Sequence, residues 1–136
     1  MRHREPVALP PPGPALARRH RSLSLGDVVL SHAGRQRAGA PVHAAITALK
    51  TGDALTLRIY GERRHLVDAN GTVVGRLAQA YAGEAGCVCV SATVAALVRR
   101  FRIDDSDPQA AASLRCDAWE VVVPDLVFEP VERGRP

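Results

Sequence analysis

Apolar and polar residues alternate from Leu55 to Tyr60, with Leu55, Leu57 and Ile59 on one side and Thr56, Arg58 and Tyr60 on the other. This is the period of a half-buried strand. Gly61-Glu62 then predicts a turn, Arg63 to Asp68 a return strand, Asn70-Gly71 a second turn and Thr72 to Leu77 a third strand. The resulting meander is the strongest structural signal in the chain. Gly75, inside the third strand, predicts a bulge or a close backbone approach. Arg76 to Ala82 is expected to form a short helix ended by Gly83.

Upstream, Leu25 to Leu30 predicts a first strand and Ser31 to Ala40 a Gly- and Arg-containing loop. Pro41 then opens Val42 to Lys50, where Val42, Ile46 and Leu49 recur at helical spacing. Downstream, Cys87 to Ile103 is the longest apolar run and lacks a polar face, which predicts a buried, curved central strand. Asp104 to Pro108 reads as an acidic turn and Gln109 to Arg115 as a helical turn. Ala118 to Val123 reads as a last strand, interrupted by Pro124, with Leu126 to Phe128 as an added edge segment. The pattern as a whole predicts a mainly β fold, a small antiparallel β-barrel of about six strands with two short helices.

Composition changes this picture at the ends. Residues 1–24 hold a proline cluster and the run Arg18-Arg19-His20-Arg21, too polar to bury a core, and read as an extended linker or basic arm. One small domain is expected over 25–130, with a short tail over 131–136. The five aromatics, Tyr60, Tyr81, Phe101, Trp119 and Phe128, leave the core to Val, Leu, Ile and Ala. No apolar run reaches the roughly 18 residues needed to span a bilayer, and the N-terminus lacks the apolar stretch of a secretory signal. The three cysteines imply no disulfide framework, since Cys87 and Cys89 lie too close on one strand to bridge easily. Reduced thiols and no membrane segment point to a cytoplasmic protein.

The net charge of +4 is unevenly divided. Residues 1–24 carry +4, residues 25–103 carry +5 and residues 104–136 carry −5. The basic character belongs to the arm and the meander, and the end of the chain is acidic.

No enzyme motif stands out. The chain has no GxxxxGK[ST] phosphate loop and no GxSxG serine, which argues against an enzyme in this chain alone. Cys87, Cys89 and Cys116 lack the turn-borne pairs of a zinc knuckle, and Asp104, Asp105 and Asp107 lack the glycine and terminal glutamate of a calcium loop. No metal, cofactor or small-molecule substrate is expected. His43, one residue from the apolar helical stripe, is in the usual place of a surface or capping histidine.

What does stand out is a set of basic and aromatic residues: Arg58, Tyr60, Arg63, Arg64 and His65 on the first hairpin, Arg76 and Tyr81 after the second, and Arg99 and Arg102 around Phe101. A positive groove with aromatic faces is what holds single-stranded nucleic acid. The competing reading is that these charges solvate a barrel whose core holds the aromatics.

The segments VHAAITALK, GDALTL, NGTVVGRL and CDAWEVVVPDLVFEP, spanning roughly 25–130, resemble the small C-terminal module of some bacterial RecQ-type ATP-dependent DNA helicases. More distantly they resemble the HIRAN domains of DNA translocases. The resemblance implies a small barrel that binds DNA, in HIRAN domains the end of a single strand, and assists a motor that this chain does not contain. It places Arg58, Tyr60 and the segment from Arg76 to Tyr81 near the DNA. HIRAN domains usually carry an Asp-Pro-x-Asn-Pro-x-Asp-like loop where this chain has Gly61 to His65. The expected function is a non-catalytic DNA-binding accessory module of a helicase-type protein, with single-stranded DNA and a helicase motor as partners. The alternative is a protein-interaction barrel that docks on a helicase core through the Asp104 to Asp107 turn and a Val121 to Phe128 edge.

Overall fold

The computed structural model describes residues 17–131, so most of the arm expected over 1–24 and of the tail expected over 131–136 lies outside the described residues. Six strands are present: β1 (Arg19–Ser22), β2 (Ala54–Tyr60), β3 (Arg63–Val67), β4 (Val73–Arg76), β5 (Cys87–Phe101) and β6 (Ala118–Pro130). Two helices, α1 (Pro41–Thr47) and α2 (Pro108–Ala112), join them. The strands make one sheet of order β1-β6-β5-β2-β3-β4 with every neighbouring pair antiparallel. The fold is mainly β, as its pattern predicts. The sheet is open rather than a closed barrel: β1 and β4 are its edges, and among the described residues no ladder joins them.

The meander follows the alternation. Tyr60 opposite Arg63 closes the first hairpin, and Asp68 shapes the second turn by accepting from the backbone N–H of Asn70 at 2.9 Å and of Thr72 at 2.8 Å. Gly71 takes φ +87°, a conformation that a residue with a side chain rarely adopts. Both devices expected at Gly75 occur. Leu66 pairs with Gly75 and Val67 with Val73, which leaves Val74 as an extra, bulged residue. A Cβ on Gly75 would lie 3.4 Å from Leu66 Cδ1 and 3.9 Å from Val122 Cβ, so β4 can curl close over β6.

The long pair of β5 and β6 is the backbone of the sheet. Register shifts at Cys89/Ser91 and Val94/Ala96 bend β5, whereas β2 meets it only at Ala54–Thr93 and Leu55–Ala92. Beyond those two pairs the strands part, leaving a cleft. Strand β6 is buried on both faces, with Trp119 and Val121 on one and Val122, Leu126 and Phe128 on the other. Leu66 and Leu126 are 0 % exposed and Ile46 of α1 is 1 %, which fixes the centre of the core.

Several local expectations are corrected. Arg19–Ser22, read as part of the arm, pairs with Asp125–Phe128 as an exposed edge strand. Leu25 to Leu30 is no strand, because the Asp27 carboxylate accepts from the Ser24 N–H at 2.9 Å and bends Leu25–Asp27 into a single 3-10 turn. The helix expected over Arg76 to Ala82 is absent. Its start is drawn into the sheet instead, Arg76 pairing with His65, Leu77 bridging Val28 and donating its N–H to Arg64 O at 3.0 Å, and Ala78 N–H donating to Asp27 O at 2.8 Å. Pro124 does not interrupt the last strand. Its partner Val94 directs both backbone groups to the turn before β2, donating to Asp53 O and accepting from Gly52 N–H, so no donor from Pro124 is needed there. The Val121 to Phe128 segment, expected as an apolar docking edge, is therefore an interior strand between β1 and β5.

Candidate nucleic-acid interface

Residues directly opposite in an antiparallel pair project to the same face. Arg58 faces His65 and Tyr60 faces Arg63 across β2 and β3, and His65 faces Arg76 across β3 and β4. Five of the nine candidate residues are thus brought to one surface: Arg58, Tyr60, Arg63, His65 and Arg76. The Tyr60 and His65 rings lie 5.0 Å apart at a 44° tilt, and Tyr60 is 53 % exposed, a ring edge and face open to a ligand. Arg63 and Arg76 line both of two adjoining hollows, one of about 540 Å³ shared with His32 and His65 and one of about 370 Å³ shared with Glu62 and Gln79.

The electrostatics of this surface are uncompensated. Among the described residues Arg58, Arg63 and Arg76 have no ion pair, and the one carboxylate beside them, Glu62, accepts from Gln79 Nε2 at 3.1 Å. Burial lowers the His65 pKa, and the charges of Arg76 and Arg63 lower it further. Burial likewise lowers that of His32, opposed by its contact of 3.2 Å with Val73 O and assisted by Arg76 and His65. The Arg76 guanidinium is disfavoured by burial and by Arg63 and Arg35, yet an arginine remains charged. Arg76 Nε and His65 Nδ1 are shielded from solvent without a hydrogen-bond partner. An anion placed on this surface would relieve the repulsion among these cations.

Three of the other four candidates are separated from this surface, while Arg64 also borders the hollow of about 370 Å³ beside Arg63 and Arg76. Arg64 points to the opposite side of β3, where it donates to the Tyr81 carbonyl, and Tyr81 packs half-buried against the core. Arg99 pairs with Glu120 at 3.7 Å and lies 5.9 Å from the Phe101 ring centre. Arg102 is a structural clip, donating to Leu114 O at 3.0 Å and lying 3.3 Å from Asp117. The described arm residues are also engaged: Arg18 with Glu129 at 2.7 Å and Arg21 with both oxygens of Glu84 at 2.7 and 2.9 Å.

His32 and Arg35 belong to the basic surface and were missed in the sequence. They sit in the 31–40 loop, which Trp119 Nε1 anchors by donating to Leu30 O at 2.7 Å. No periodic signal marks such a loop. In the acidic turn, Asp105 and Asp107 accept from the backbone N–H groups of Asp107 and Gln109, so those carboxylates shape the start of α2. Cys116 Sγ is buried 3.2 Å from Gln36 O and 3.6 Å from His43 Nε2, well removed in sequence from Cys87 and Cys89 on β5. Among the described residues no three His, Cys, Asp or Glu side chains gather as a metal site, and no helix is long and apolar enough to cross a membrane.

Comparison of the chain with protein-family models, with curated proteins and with solved structures finds no match. The surface itself therefore carries the functional reading.

Proposed function

We propose that the domain is a non-catalytic DNA-binding module whose contact surface is the face of β2, β3 and β4 carrying Arg58, Tyr60, Arg63, His65 and Arg76. The observation that carries this reading is the register that puts three arginines, a histidine and an exposed tyrosine together with no ion pair among the described residues. Guanidinium groups bind phosphates in bidentate fashion, and Tyr60 offers a ring on which an unpaired base can stack. The exposed Tyr60 ring favours single-stranded DNA over a duplex, because only an unpaired base is free to stack on it. The likeness to helicase C-terminal modules extends the proposal to an accessory role beside a DNA motor.

The test is fluorescence anisotropy of a labelled single-stranded oligonucleotide with the full chain and its Arg63→Ala/Arg76→Ala variant. Saturable binding by the wild type, weakened at least about tenfold in the variant, supports the reading. Absence of binding at low salt, or binding that the double substitution leaves intact, rejects it. The protein-docking alternative loses the apolar edge on which it was based, since Val121 to Phe128 lies inside the sheet.

A further inference from the structure

Where β2 and β5 part beyond Leu55 and Ala92, they leave a cleft of about 270 Å³ between the two halves of the curled sheet. Its lining is apolar: Leu57, Ile59, Leu77, Val88 and Phe128. Ile59 is 66 % exposed and Val88 50 %, so apolar surface continues to the mouth. The volume lies just below the lower end of the range for small-molecule pockets, about 300–1,000 Å³, and the mouth of a rolled sheet is a common place for one.

The polar groups at this cleft are unbalanced in one direction. Arg64 reaches it, donates to the Tyr81 carbonyl, and has no ion pair among the described residues. Glu84, the one carboxylate in the lining, is already held by Arg21, with Arg19 3.9 Å away. Tyr81 also lines the cleft, and its hydroxyl is shielded from solvent with no hydrogen-bond partner. An apolar chamber with an unpaired cation, a neutralised anion and an orphan donor is complementary to an apolar body carrying one negative charge.

We infer that this cleft binds a small carboxylic acid with an apolar body, a short alkyl or aryl carboxylate. The body displaces water from Leu57, Ile59 and Phe128, and the carboxylate pairs with Arg64. The inference does not rest on the DNA reading, because the apolar lining of the cleft lies between β2 and β5, outside the face of Arg58, Tyr60 and His65, although Arg64 also borders the hollow of Arg63 and Arg76.

The test is a two-dimensional NMR titration of the full chain with sodium octanoate and, separately, neutral octanamide. Octanoate is expected to shift the amide signals of Leu57, Ile59, Cys87 and Cys89 and to bind at least about tenfold more tightly than octanamide. It should also slow maleimide modification of Cys87 and Cys89, whose side chains share the lining. Arg64→Gln should abolish the preference for the carboxylate, and Ile59→Ser, at an exposed position, should weaken both compounds. No binding, shifts confined to residues outside the cleft, equal affinity for the two compounds, or an unchanged preference in Arg64→Gln would each overturn the inference.

Discussion

His65 stands among Arg58, Arg63 and Arg76, with Tyr60 against its ring and His32 nearby on the loop. Burial, with Arg76 beside both histidines and Arg63 beside His65, holds the two pKa values below the ordinary value of about 6.5, so in the acidic window the unfolded chain binds more protons than the folded one. Stability is then fully present above about pH 6.5 and is lost as the pH falls toward the depressed folded values. Thermal denaturation should show a lower midpoint at about pH 5.5 than at about pH 7.5, and a His32→Gln/His65→Gln variant should flatten that difference. A phosphate beside His65 acts oppositely, because it favours the imidazolium. The complex therefore takes up protons, and DNA affinity should rise as the pH falls through the same window. Gly34 makes a second residue-scale case. A Cβ there would lie 2.7 Å from two indole carbons of Trp119, so Gly34→Ala should cost about 1–3 kcal/mol in urea denaturation. Gly39→Ala, whose Cβ would meet nothing closer than 3.5 Å, should be nearly neutral.

At the scale of the element, strand β3 separates neighbours. Arg63 and Arg64 differ by one position and point to opposite faces, so Arg63→Ala should weaken DNA binding about tenfold while Arg64→Ala leaves it within about twofold. Equal losses in the two variants would mean that the β2–β3 face is not the contact. The sequence put Arg63 and Arg64 together as candidates, and only the register of the hairpin divides them and sets Arg58, Tyr60, Arg63 and His65 on one side. The meander and the paired long strands were legible because short-range alternation and turn chemistry determine them. What was not legible depends on groups distant in sequence. Leu25 to Leu30 has the composition of a strand, but the Asp27 carboxylate bends it. Arg76 to Ala82 has helical composition, but pairing of Arg76 with His65 and of Leu77 with Val28 draws its start into the sheet. Arg99 and Arg102 looked like free cations until β6 and the end of α2 brought their acceptors.

Across the whole molecule, the uneven charge seen along the chain becomes an uneven surface. The arm-side arginines Arg18 and Arg21 and the β5-end arginines Arg99 and Arg102 are met by Glu129, Glu84, Glu120 and Asp117. Three carboxylates of the acidic end, together with Glu84, thus offset basic residues near β1 and β6 and leave the charge of Arg58, Arg63 and Arg76 without an ion pair among the described residues. The open sheet contributes as well: its curl places the proposed DNA face on the outside of β2–β4 and the apolar cleft where β2 parts from β5. The measurement that tests the central claim most directly is the salt dependence of single-stranded DNA binding by the full chain. If Arg58, Arg63 and Arg76 each displace a condensed cation, the slope of log K against log salt should be about −2, and about −0.7 in Arg63→Ala/Arg76→Ala. A slope near zero, or a steep slope that the double substitution leaves unchanged, would contradict the assignment of DNA binding to this face.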